Sequence, residues 1–228
     1  IPFCWSLDHV GFLTRTVADV ALLLEMVASH DARDPVSARV RPRAYRQALT
    51  GEIYGLKIGV PRRYFFEHAD PEIVDATDRI LRLAERQGAK VMDVDTPNME
   101  GARAVSLVIQ MPEALSYHST HMRTKSSLYG DDLRSGFALG QFILAEHYVR
   151  AKRMMSLYRQ QMTALFEDVD LLVTPTSPMI APLRGTTTVT IAGREEAFGE
   201  AGKSVRELLK ESDASSRQSR RGCGCLGR

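Results

Sequence analysis

The chain has 228 residues, 44% of them hydrophobic and 25% charged, with a net charge of +2. That composition suits one large globular domain and gives no reason to expect a nucleic-acid, acidic-partner or membrane-surface role. No apolar run approaches the ~20 residues of a membrane span, and Cys4, Cys223 and Cys225 are too few and too spread for a disulfide framework, so a reducing cytoplasm is the expected location.

Thr16 can cap a first helix, with Asp19 three residues on as in a capping box. Val17, Val20, Ala21, Leu24, Val27 and Ala28 follow at helical spacing and predict a buried stripe, closed by His30 and Asp31. A polar, arginine-bearing connector runs from Ala32 to about Tyr54, where Pro35 and Pro42 argue against a helix. Leu56–Val60 reads as a strand stopped by Pro61. Asp70 is placed to cap the next helix, with Pro71 at its first position and Gly88 at its end. The buried face predicted for that helix is Ile73, Val74, Thr77, Ile80, Leu81 and Ala84. Ala89–Val94 is the next strand, which completes a βαβ unit with parallel strands.

From Glu100 to about Asp168 the pattern is mostly helical, with breaks predicted near Gly130 and Gly136. The piece from Phe137 to Phe166 would turn Phe142, Ile143, Val149, Met154, Met162, Leu165 and Phe166 inward. It would turn Arg150, Lys152, Arg153 and Arg159 to solvent. Val169–Thr174 is a third apolar strand, ended by Pro175 and Pro178, and Thr186–Ile191 is a hairpin arm turning at Gly193. From Gly202 the hydrophobic pattern disappears. The expected organisation is therefore a domain over residues 1–201 and an unpatterned, non-packing tail over 202–228.

Four catalytic or binding constellations can be weighed. Ser6, Asp8 and His9 could supply a nucleophile and base, or a turn in which hydroxyl and carboxylate cap neighbouring amides. No G-x-S-x-G elbow accompanies them, and the turn accounts for them more simply. Glu113, His118 and His121 could ligate a metal, but helical zinc motifs place two histidines four apart with a glutamate between, and the spacing here is three. Cys223 and Cys225 could offer two thiolates where zinc wants four ligands. No phosphate-binding glycine loop follows a strand. No metal and no cofactor is expected.

The opening run, with Ser6, Leu7, Asp8, Val10, Gly11, Arg15, Val17 and Asp19, resembles a segment of the amidase signature family; Phe12 stands where that family usually has proline. "GLKIGVPRRYF" (55–65), "EALSYHS", "LYGDDLRSGFALG" and "VDLLVTPTSPMIAP" are similar to further blocks of the family in the same order, covering roughly residues 1–199. The resemblance implies an α/β fold: a mixed, mainly parallel sheet wrapped by helices, here in part, with N-terminal strands missing. It also implies a serine nucleophile, a second serine bridging it to lysine, and a glycine-rich oxyanion loop, chemistry in which a neutral lysine activates serine through a relay. No position here matches those motifs, so no residue is assigned as catalytic. Tyr117, Tyr129 and Thr176 are the substrate-side residues the resemblance suggests; each has a plainer reading as a packed ring or a turn cap.

The expected function is that of part of an amidase cleaving a carboxamide C–N bond to acid and ammonia, inactive alone. The alternatives are the A subunit of a glutamyl/aspartyl-tRNA amidotransferase, or a non-catalytic relic or binding fragment. "YGDDLRSGFALG" looks more like stand-alone amidases. The expected partner is a small-molecule amide in the intact protein, with no nucleic acid and no membrane. A homodimer is one expected assembly, because exposed strand edges favour association; partner subunits follow only on the amidotransferase alternative.

Overall fold

A computed structural model of the chain describes residues 2–34, 37–41, 43–97, 99 and 101–197. The tail read as 202–228, with Cys223 and Cys225, lies outside the described residues. The described residues divide into two compact units, one of residues 2–8 and 54–197 and the other of residues 9–53. Among the described residues no helix is long and apolar enough to cross a membrane.

The larger unit carries the predicted βαβ element. Strands β1 (Lys57–Val60), β2 (Lys90–Asp93) and β3 (Leu171–Leu172) form a sheet of order β2-β1-β3 in which both pairings are parallel. Between β1 and β2 run a short helix α2 (Arg62–Phe65) and the amphipathic α3 (Pro71–Arg86). Gly88, with φ +90°, takes the left-handed position that closes α3. Two expectations for α3 need correction. Ile80 is 64% exposed instead of facing the core, because Leu81 occupies the buried position beside it. Asp70 sits at the cap position, but its carboxylate accepts the Ala192 N–H at 2.8 Å and makes no bond to α3. That bond ties down the hairpin of β4 (Thr188–Ile191) and β5 (Arg194–Ala197), whose turn has Ala192 and Gly193 at positive φ, as the glycine position predicted.

The middle strand is closely packed. A Cβ on Gly59 would stand 2.9 Å from Leu172 Cδ2, 3.1 Å from Val94 Cγ2 and 3.2 Å from Val169 Cγ1. Gly59→Val is therefore expected to destabilise this unit by about 1–3 kcal/mol, the usual cost of overpacking a filled core, measurable as a lowered urea midpoint.

The helical layer consists of α4 (Ala102–Thr124), a 3₁₀ turn (Ser126–Leu128), α5 (Asp131–Gly140) and α6 (Ala145–Leu165). The break near Gly130 is present. The break predicted at Gly136 is not: Gly136 lies inside α5, and the chain turns after Gly140 instead. Phe137 thus belongs to α5, where it is fully buried, and the long helix predicted from 137 begins only at Ala145. The predicted inward face holds in part: Ile143 and Met154 pack on the core, and Met162 and Leu165 are half-buried. Phe142, Val149 and Phe166 are exposed, while Ala151, Tyr148, Met154, Met155 and Tyr158 pack on a core of Cys4, Val105, Val108 and Ile109. Cys4 is 1% exposed, so the N-terminal segment is part of this core rather than a loose end.

In the smaller unit, α1 (Val17–Val27) is capped as expected, Thr16 Oγ1 accepting the Asp19 N–H at 3.1 Å. Its predicted stripe is partly covered: Ala21 is buried, Val20, Leu24 and Ala28 are half-buried, and Val17 and Val27 are exposed. Glu25 accepts both the backbone N–H (2.8 Å) and Nε–H (2.7 Å) of Arg46, which tethers the connector to α1. These two bonds, the backbone one first, hold the Glu25 carboxyl below its ordinary pKa.

Candidate functional site

The strongest convergence of polar side chains lies where residues 2–8 cross α4 and α6. Between Arg103 and Arg123 the α4 sequence carries one formally charged side chain, Glu113, set in an otherwise mostly apolar run. Pro112 removes a backbone donor immediately before it without ending the helix. The Glu113 carboxylate accepts four hydrogen bonds. Ser6 Oγ donates to Oε1 at 2.7 Å, as does Tyr148 OH from α6 at 2.8 Å. Ser6 N–H donates to Oε2 at 2.9 Å and Cys4 Sγ–H to the same oxygen at 3.1 Å.

One turn further along α4, His118 grips the other end of the same segment. It is 6% exposed, with Nε2 3.0 Å from the Pro2 carbonyl and Nδ1 2.9 Å from Tyr129 OH. A carbonyl can only accept, so Nε2 carries the proton and Nδ1 accepts from Tyr129. The imidazole stacks on Phe137 at 5.0 Å and 13°, and Phe3 stands 6.0 Å from that same ring. Residues 2–8 are thus a strap held at Pro2 by a histidine, at Phe3 by an aromatic ring, and at Cys4 and Ser6 by a carboxylate.

Inside the strap, Asp8 accepts the amides of Phe3 (2.8 Å) and Cys4 (3.0 Å), and the Cys4 carbonyl accepts the amides of Leu7 and Asp8. This is the turn expected of Ser6 and Asp8, with one difference: the Ser6 hydroxyl reaches across 107 residues to Glu113 rather than capping locally.

The electrostatics follow from the geometry. Burial alone would raise the Glu113 pKa, but the bonds from Ser6, Cys4 and Tyr148 outweigh it and bring the carboxyl from 4.5 to about 2. Cys4 moves the other way, from 9.0 to about 11, first through burial and then through its bond to Glu113. Tyr148 rises from 10.0 to about 12 for the same two reasons. A carboxyl lowered in the folded state stabilises the fold above its unfolded pKa and loses that contribution as pH falls through the folded value. A thiol or phenol raised in the folded state stabilises below its unfolded pKa, and that contribution goes as pH rises through the folded value. Stability is therefore expected to be flat between about pH 5 and 8.5, falling toward pH 2 and again between pH 9 and 12. In Glu113→Gln the acid limb should shrink most, which urea titrations across pH would show.

Such a carboxylate is a structural acceptor, not a base for Ser6: at a pKa of about 2 it has little affinity for a hydroxyl proton. Among the described residues no lysine side chain hydrogen-bonds a serine, and no three His, Cys, Asp or Glu groups converge to hold an ion. Of the metal candidates weighed from sequence, Glu113 and His118 are engaged as above and His121 is exposed.

The substrate-side candidates fall in different places. Tyr117, 56% exposed, follows Glu113 by one turn of α4 and its ring lies 5.0 Å from His118. Tyr129 flanks the other side of His118 and commits its hydroxyl to it. Thr176 is exposed in the segment after β3 and takes no part in that cluster. Sequence reading weighed Glu113 only as a metal ligand and left Tyr148 unremarked. The available clue was a single carboxylate in an apolar helical run, a residue type rarely buried without partners.

The Amidase family model matches residues 1–197. The chain is 36% identical over 181 residues to an amidase of Pseudomonas putida, which takes in 79% of this chain and 39% of the relative. It is also 36% identical over 205 residues to the A subunit of the glutamyl-tRNA(Gln) amidotransferase of Myxococcus xanthus, taking in 79% of this chain and 42% of that relative. Among solved structures, a vestigial protein complex described as revealing the evolutionary origins of an s-triazine catabolic enzyme superposes with TM-score 0.80 at 27% identity. That match covers 92% of this chain and 46% of the other. A crystal structure of an amidase gives TM-score 0.72 at 23% identity, a likeness of fold. The chain thus spans about two fifths of the length of the curated relatives it matches.

Proposed function

Since the chain belongs to the amidase family, we propose that it is the scaffold portion of an amide hydrolase, which takes a carboxamide and water to a carboxylic acid and ammonia. The observation that carries this reading is the continuous match to an amidase at 36% identity, in which the strap, α4 and α6 all lie within residues 1–197. On this reading the serine–serine–lysine relay is supplied by polypeptide other than the described residues. The chain contributes the packed helical wall against which that polypeptide is held. Tyr117, Tyr129 and Thr176 are the side chains assigned to the substrate, and the location is the cytoplasm.

The amidotransferase reading has its own support, since the Myxococcus relative is equally similar to this chain. The two separate by substrate. The chain joined to the portion of the Pseudomonas amidase that it does not span is expected to release ammonia from simple carboxamides with no other protein present. Release from glutamine alone, and only with added amidotransferase subunits, would overturn the stand-alone reading in favour of the second.

A further inference from the structure

Glu113 is a single side chain on which three segments of the fold depend. The strap contributes Cys4 and Ser6, α6 contributes Tyr148, and the carboxylate itself stands on α4. Its four donors exhaust what two carboxylate oxygens can accept with good geometry. We propose that Glu113 is a positioning residue: by holding Cys4, Ser6 and Tyr148 together it fixes the register of the strap on α4 and α6, and with it the placement of the polypeptide that supplies the relay. The last part rests on the amide-hydrolysing reading; the first does not.

The chemistry requires a carboxylate of this length. Glutamine keeps the shape but replaces one acceptor by an NH₂ donor, which would face either the Ser6 and Tyr148 hydroxyls or the Ser6 amide and Cys4 thiol. With the NH₂ toward the hydroxyls both can turn to accept and the four contacts survive in shape, but as neutral bonds about half as strong as those to a carboxylate; turned the other way, the Ser6 amide loses its acceptor. Aspartate keeps the charge but withdraws it by one methylene, too far to reach both the strap and α6. A residue that merely filled space would tolerate glutamine. A residue that positions through its charge would not, and aspartate would restore part of the effect.

Cys4 reports on the strap directly. In the full chain with Cys223 and Cys225 replaced by serine, Cys4 is the remaining thiol. Its alkylation by iodoacetamide is followed against pH, together with amide hydrogen exchange of residues 2–8. Wild type should alkylate slowly at pH 8, with the rate climbing toward pH 11. Glu113→Gln should alkylate at pH 8 at least about tenfold faster, the equivalent of one unit of thiol pKa. It should also exchange faster through the strap while β1 and β2 keep their protection. Glu113→Asp should fall between the two, and Tyr148→Phe, which removes one of the four donors and leaves the carboxylate in place, should loosen the strap less than Glu113→Gln. Should Glu113→Gln lose protection in β1 and β2 as well, Tyr148→Phe and Ser6→Ala carry the test, each expected to speed strap exchange with the sheet intact. Alkylation profiles and strap exchange that stay at wild-type values in all of these variants would overturn the proposal.

In the joined polypeptide described above, Glu113→Gln should lower kcat about tenfold or more with KM little changed, since positioning acts on the reacting geometry rather than on substrate affinity. No ammonia release with Glu113 intact would count against the amide-hydrolase reading and leave the strap result standing. Full release with Glu113→Gln would count against the positioning role alone.

Discussion

Gly140→Ala is expected to lower the melting temperature by roughly 4–10 °C, corresponding to about 2–3 kcal/mol in a domain of this size. A Cβ at Gly140 would lie 2.6 Å from the Met111 carbonyl oxygen, 2.9 Å from its carbonyl carbon and 3.3 Å from Leu115 Cβ. The first two are backbone atoms of α4, which cannot rotate away as a side-chain end can, so α5 must lift from α4. Lifting α5 disturbs Phe137, which stacks on His118 and lies beside Phe3, so the loss spreads into the strap. The internal control is Gly136, one turn earlier on the same helix, where an added Cβ would meet only Met111 Sδ at 3.6 Å. There alanine should be neutral or stabilising by about 0.5–1 kcal/mol, the ordinary helical cost of glycine. Two variants of one helix, differing only in what the new methyl meets, should therefore melt on opposite sides of wild type. A Gly140→Ala protein melting within about 2 °C of wild type, less than one kcal/mol, would show that the two helices are not in the contact described.

The second large effect concerns activity. The described residues by themselves should give no catalytic amide hydrolysis. Ser6 has a carboxylate beside it, but that carboxylate is held at a pKa of about 2 and its oxygens are already occupied by four donors. A serine so placed gives its proton to a hydrogen bond and gains no nucleophilicity from it. Asp8 closes the turn by accepting two amides, the local structural use the sequence suggests for it. Loss of an entire nucleophile relay lowers kcat by on the order of a millionfold, so the difference between the chain alone and a joined, relay-bearing polypeptide should be limited only by assay background.

Much of the fold could be read in the sequence where local rules act alone. The βαβ unit follows from strand–Pro, Asp–Pro and terminal glycine signals, and its strands are parallel as those signals required. The hairpin turn followed from Gly193. Reading failed where tertiary contact overrode a local signal. Gly136 looks like a break and Gly140 like a helix residue, yet Gly136 has room for a methyl beside the Met111 side chain while Gly140 is the point of backbone contact with α4. Asp70 looks like a cap because capping is the commonest use of an aspartate before proline, but a hairpin 122 residues later claims it. The α1 stripe has helical spacing and the expected cap, but its spacing does not say what, if anything, covers it. At the site, the Ser6–Asp8 turn was legible because it is local. The hub was not, because its partners lie 35 to 109 residues from Glu113 and share no spacing that sequence alone reveals.

The most direct test of the central claim is a rate of ammonia release, measured side by side for three polypeptides at equal concentration. These are the chain alone, the unspanned portion of the Pseudomonas amidase alone, and the two joined. Scaffold and relay are predicted to be separately silent and jointly active on a simple carboxamide. Turnover by the chain alone, or a relay portion that needs no scaffold, would contradict the account.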